Sequence, residues 1–94
     1  VSQLIDIVKR QGQRPTERFS RNKLHASIRA ACLSVQSPEG EAETAATAVS
    51  EAVVLWCSVR PEVTSNDLRR VAAHHLHKFH PDAAYMYKHH VSVL

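Results

Sequence analysis

Hydrophobic and polar positions along the chain change period once, near residue 22, and that change divides it into two kinds of structure. The opening stretch Leu4-Ile5-Asp6-Ile7-Val8-Lys9 is rich in β-branched residues and runs into Gln11-Gly12-Gln13. Gly12 admits the positive φ of a tight reversal, so a strand and a turn are expected. Arg14-Pro15-Thr16-Glu17-Arg18-Phe19 is polar with one aromatic. Pro15 lacks an N–H and restricts this piece to an edge strand antiparallel to the first, which predicts a short hairpin.

From Asn22 onward Leu24, Ile28, Ala31, Cys32 and Val35 recur at helical spacing, with Ser20 or Asn22 as the cap and an end near Ser34. Ser37-Pro38-Glu39 then offers a cap, a proline at the first helical position and an acid in the opening turn. The second helix is expected from Pro38 to about Ser58, with a stripe of Ala42, Ala45, Ala46, Val49, Val53 and Trp56. Arg60-Pro61 breaks it and predicts a short loop. Thr64 or Ser65, with Asp67 reaching back, predicts a capping box for a third helix from Ser65 to about Lys78. Its stripe is Leu68, Val71, Ala72, His75, Leu76 and Phe79. His80-Pro81-Asp82 marks another stop and start, and Ala83, Ala84, Tyr87, Val91 and Leu94 give a fourth helix an apolar side. The expected fold is mainly α: a four-helix bundle capped by a short N-terminal β-hairpin, with one domain over residues 1–94.

Composition supports this picture. Ninety-four residues, 44% hydrophobic and 22% charged, suffice for one core. The longest apolar run, Ala52 to Cys57, is six residues. A membrane span needs about 20, so no membrane insertion is expected. Two cysteines, Cys32 and Cys57, are too few for a disulfide scaffold, and no secretory leader or initiator methionine opens the chain at Val1-Ser2-Gln3. The expectation is a reducing cytoplasm and a segment trimmed from a longer parent.

Charge is more informative by position than by sum. Twelve Lys and Arg against nine Asp and Glu give a net +3 with neutral histidines. Lys9, Arg10, Arg14, Arg18, Arg21 and Lys23 lie in one stretch opposed only by Glu17, whereas Glu39, Glu41, Glu43 and Glu51 follow with no basic residue between them. A hairpin turn carrying Lys9 and Arg10, set against a helix start bearing Lys23, directs cations, backbone N–H groups and a helix dipole toward one place. Phosphate is the expected occupant, with Phe19 offering a flat apolar face to a base. The alternative is that Lys9 and Arg10 merely blunt a strand edge while Phe19 belongs to the core.

The order of these motifs resembles the ATP-cone family. Val8-Lys9-Arg10-Gln11-Gly12 is similar to its V-x-K-R-D-G-like turn, and Phe19 with Lys23-Leu24-His25-Ala26-Ser27-Ile28 to its F-x-x-x-K-L-x-x-S-I-like helix. Val63-Thr64-Ser65-Asn66-Asp67-Leu68 is similar to its V-T-S-x-[DE]-[IL]-like helix start. The resemblance runs from about Ile5 to His90. It implies a nucleotide-binding regulatory domain with a hairpin lid over four helices. Such domains bind ATP or dATP in ribonucleotide reductases and in a transcriptional repressor of their genes. Carried over, Lys9 and Arg10 become the phosphate-contacting pair and Gly12 the turn glycine. Ile7 and Phe19 become apolar neighbours of the nucleotide, Glu17 and Ser20 polar contacts, and Lys23 a further phosphate contact. Ser65, Leu68 and Arg69 fall where the third helix approaches base and phosphates. Two departures stand out: Gln11 replaces the usual aspartate, and His89-His90-Val91-Ser92-Val93-Leu94 lacks the basic residue often found at the end of the fourth helix.

No Walker-type loop and no acid pair for in-line transfer is present, so binding without turnover is expected, with magnesium carried by the triphosphate and water. His77 and His80 are spaced as a pair of metal ligands, but no Cys or carboxylate completes a pattern, and no metal site is expected. His75 and His90 fall at stripe positions, and Cys32 and Cys57 at core positions as small apolar side chains. Trp56 is expected as a core anchor, while Val53-Val54-Leu55-Trp56 is apolar on more than one side and could meet another subunit or host domain. The expected partners are an adenine nucleotide and a second copy or a partner enzyme domain, with neither membrane nor nucleic acid. The alternatives are a DNA- or partner-binding helical module using the N-terminal basic face, and a histidine metal module.

Overall fold

The computed structural model of the chain describes residues 6–8, 17–18, 20–60 and 62–90. Four helices dominate it: α1 (Arg21–Ser34), α2 (Glu39–Cys57), α3 (Ser65–His77) and α4 (Pro81–His90). Three short strands accompany them: β1 (Asp6–Val8), β2 (Glu17–Arg18) and β3 (Glu62–Thr64).

Each helix begins for a local chemical reason. Ser20 has an extended backbone and its Oγ accepts the Lys23 N–H at 3.2 Å, so Ser20, not Asn22, caps α1. At the other end Gln36 takes φ 65°. Its N–H donates to Leu33 C=O and the Ser37 N–H to Cys32 C=O, a Schellman ending built without glycine. The start of α2 corrects the sequence reading. Pro38 keeps an extended ψ of 147° and occupies the cap itself without a side-chain bond, so the helix opens at Glu39. The Pro38 carbonyl still accepts the Ala42 N–H at 2.9 Å, which fixes where the helix begins. The capping box of α3 forms as expected, with Thr64 Oγ1 accepting from Asp67 N–H at 3.0 Å and Asp67 Oδ2 accepting from Thr64 N–H at 3.2 Å. His80 prepares α4, its Nδ1 accepting the Ala83 N–H at 3.3 Å and its carbonyl the Ala84 N–H.

The sheet has the order β2-β1-β3. Antiparallel pairing of β1 with β2 matches Asp6 with Arg18 and Ile7 with Glu17, while the turn expected at Gln11-Gly12-Gln13 lies outside the described residues. The parallel strand β3 was not expected. Residues 62–64 read as loop and helix start, yet they pair with β1 in the register Asp6↔Glu62, Ile7↔Val63, Val8↔Thr64. Three residues are too few to show a strand period, and a parallel pairing joins distant segments that no local pattern can announce.

The helices close into a ring in which α1 packs on α2, α2 on α3, α3 on α4 and α4 back on α1. Leu24, Ile28, Val49, Val53, Leu68 and Leu76 are fully buried inside it, and Ala42, Ala45 and Ala46 let α2 approach closely. Tyr87 is the largest fully buried side chain. Its hydroxyl shares a hydrogen bond of 3.2 Å with Ser27, whose Oγ also donates to Leu24 C=O at 2.8 Å, so one polar contact ties α4 to α1 through the core. Some expected core positions lie at the margin. Trp56 is only partly buried, its ring covered by the Arg60 guanidinium 3.9 Å from the centroid. Phe79 is 51% exposed because α3 has already ended at His77. Leu55, 72% exposed, is the member of the 53–56 run that projects outward. No helix is long and apolar enough to cross a membrane among the described residues.

Candidate functional site

The sheet determines what meets at the helix starts. Thr64 ends β3 and caps α3, so that strand feeds the third helix directly, while β2 leads through Ser20 into α1. Both helices therefore open from the same small sheet. Short connections make consecutive helices antiparallel neighbours, which also places the starts of α1 and α3 at one end of the bundle. Val8, the last residue of β1, pairs with Thr64, the residue that caps α3.

Ser65, at this α3 start, has its Oγ covered from solvent and without a hydrogen-bond partner among the described residues. A sheltered hydroxyl of this kind retains one donor and two acceptor positions. The helix dipole there is already answered in part by the Asp67 carboxylate, which the Thr64 backbone N–H holds below its ordinary pKa, with Arg70 3.6 Å away adding to the effect. An incoming anion at this end would depend on side-chain cations more than on the helix terminus.

Of the site residues the sequence names, two cations are described, one on α1 and one on α3. Lys23 is exposed on the first turn of α1, one turn before Ser27 on the same face. Arg69 is half-buried one turn after Ser65, and its charge helps to offset the upward push of burial on the Tyr87 hydroxyl. Since that hydroxyl is bonded to Ser27, Arg69 and the Lys23 face converge on one sector of the bundle. Arg69 and the Ser27 of the helix motif were legible in the sequence, but their meeting at the Tyr87 hydroxyl was not. Leu68 is fully buried and serves the core. Ser20 contributes its Oγ to the α1 cap.

The remaining expected contacts divide in two. Ile7 and Glu17 lie opposite one another in the β1–β2 ladder. Lys9, Arg10, Gly12 and Phe19 lie outside the described residues. Of the other basic residues in the same stretch, Arg21 is turned toward α2, 3.8 Å from Glu51.

Among the described residues no group of three or more His, Cys, Asp or Glu is placed to hold a metal ion. His80, one of the expected pair, uses its Nδ1 on the α4 backbone. Burial, aided by the nearby Lys78 and His74 charges, lowers the pKa of half-buried His75. The thiols behave as apolar side chains: both are buried, and burial raises the Cys32 pKa and pushes that of Cys57 up to about 11 against the opposing charge of Arg60. No known family model matches the chain, and no curated protein is similar to it.

Proposed function

We propose that this chain is a nucleotide-sensing regulatory domain of the ATP-cone type, binding ATP or dATP between a hairpin lid and the helix starts of the bundle. In this reading Lys9 and Arg10 approach the phosphates from the lid, Lys23 and Arg69 from the helices, and the Ser65 hydroxyl supplies a further hydrogen bond. Phe19 and Ile7 cover the base, with Glu17 and Ser20 as polar neighbours and Gly12 turning the lid. Magnesium travels with the triphosphate, held by phosphate oxygens and water.

The observation that supports the reading is the Val8↔Thr64 register, which sets the end of β1, the strand that precedes the basic segment in the sequence, beside the start of α3, where the Ser65 Oγ has no hydrogen-bond partner among the described residues. The motif order described above supplies the identity of the ligand. The chemistry is binding without turnover. Nucleotide acts by favouring one position of the lid, or one state of association with a second copy or a partner enzyme domain, through unequal affinity for the two states.

Isothermal titration of the chain with ATP, dATP and GTP tests the proposal. Saturable binding of at least one adenine nucleotide is expected, weakened at least about tenfold in Lys9→Ala/Lys23→Ala and less in Ser65→Ala. No saturable binding of any of the three would refute it. Affinity that instead grows with DNA length, falls steeply with salt and ignores free nucleotide would favour a DNA-binding module.

A further inference from the structure

A second basic surface lies outside this site, on the bundle face made by α3 and α4. Arg70, Ala73, His74, His77 and Lys78 follow one another at i, i+3, i+4, i+7 and i+8 on α3 and the turn after it, a single helical face. Pro81, Ala84, Tyr85, Lys88 and His89 repeat the same spacing on α4. The two faces meet across an open groove of about 640 Å³. Small-molecule sites usually occupy about 300–1,000 Å³.

The lining has a consistent chemistry. Ala73 and Ala84, 7% and 4% exposed, form a low floor because neither side chain rises above its helix. Arg70, Lys78 and Lys88 supply three cations, and the imidazoles of His74, His77 and His89 add hydrogen-bonding nitrogens. The rings of Tyr85 and His89 pack 4.4 Å apart at 43° and build one wall. No acidic residue is among the lining residues described; Asp67 lies 3.6 Å from Arg70, and Asp82 follows Pro81 on the first turn of α4. Like charges gathered on one surface repel, and a multiply charged anion relieves that repulsion while engaging several donors at once.

We infer that the α3–α4 groove binds a small polyphosphate-bearing molecule, independently of the nucleotide site proposed at the other surface. A pit walled by two helices suits a compact ligand better than a nucleic-acid backbone, which takes contacts spread along its length. The three cations contact phosphate oxygens, and the Tyr85–His89 wall and alanine floor accommodate whatever apolar part the ligand carries.

NMR titration of the chain with inorganic tripolyphosphate, followed by ATP and by duplex DNA, tests the inference. One-to-one saturation by tripolyphosphate is expected, with the largest amide shifts at Arg70, His77 and Lys88. The dissociation constant should rise at least about tenfold in Lys78→Gln/Lys88→Gln and stay unchanged in Lys9→Ala/Lys23→Ala. The substituted side chains are exposed, so unaltered far-UV circular dichroism is expected to accompany that loss. Equal affinity in the Lys78→Gln/Lys88→Gln variant would overturn the inference, as would affinity that appears only with DNA and increases with its length. Loss only in Lys9→Ala/Lys23→Ala would assign the phosphate to the other site and overturn this one.

Discussion

The α1–α2 face and the α3–α4 face of the bundle handle charge in opposite ways. On the first, Arg29 reaches Glu39 at 2.9 Å and Glu43 at 3.4 Å, His25 meets Glu43 at 2.9 Å, and Arg21 faces Glu51. On the second, the groove gathers three cations and three imidazoles, and the one described ion pair is Arg70 with Asp67. A net charge of +3 conceals this partition. The acidic run that separates itself from the basic stretch in sequence folds back as α2 against α1 and neutralises part of it. On the α3–α4 face only Arg70, of the three cations lining the groove, has a described carboxylate partner, a partition that counting charges along the chain does not reveal.

The strongest test of this comparison breaks the contact that joins the two faces. Tyr87→Ala removes the largest fully buried side chain and the Ser27 bond between α1 and α4. It is expected to cost about 3–5 kcal/mol of stability in denaturant unfolding, with Tyr87→Phe costing only about 1. Similar losses for both would show that the hydroxyl, rather than the packing, holds the faces together.

A smaller effect sharpens the α3–α4 side. Thr64→Ala is expected to cost about 1 kcal/mol by removing a partner from the capping box. Asp67 has a folded pKa below its unfolded value, so its contribution is complete above the unfolded pKa and is lost as pH falls through the folded one. His75 acts in the same direction: its folded pKa is lowered, so the unfolded chain takes up the proton first and stability declines as pH drops below the ordinary imidazole range. Thermal melts from about pH 7 to about pH 3 should fall continuously, and Asp67→Asn, which removes the titrating carboxylate, should flatten the acid limb more than Thr64→Ala, which keeps the Thr64 backbone N–H.

The smallest expected effect belongs to the α1–α2 side. Glu43→Gln removes the carboxylate shared by His25 and Arg29. These side chains are partly exposed, so a loss of about 0.2–1 kcal/mol is expected, decreasing in high salt. A larger loss that persists in high salt would mean that the acidic face supports the fold itself and is more than a neutralised surface.

Helix starts and stops were legible in the sequence wherever a local bond sets them. Ser20, and Thr64 with Asp67, act within one turn of themselves. The error at Ser37-Pro38 was of one residue and arose because proline kept an extended backbone in place of a helical one. Stripe residues were legible in the middle of helices and less so at their ends. Phe79 lies beyond the last turn of α3, whereas Val35 and Trp56 pack against the core while only partly buried, Trp56 with Arg60 over its ring. The candidate site was legible as a motif order but not as a meeting place, because β3 pairs with β1 across most of the chain. The groove was hidden for a related reason. Its lysines and histidines lie on two helices whose matching spacings form one surface only where α3 packs on α4.

By itself the sequence determined four amphipathic helices and narrowed the caps of α1 and α3 to two residues each, because these depend on neighbours within about one helical turn. Only the tertiary structure decided which charges cancel, which buried hydroxyls, those of Ser50 and Ser65, lack a partner among the described residues, and which two helices form a cationic groove. Those outcomes require groups far apart in the chain to lie within a few ångströms of one another, and such proximity is a property of the closed bundle rather than of any segment in it.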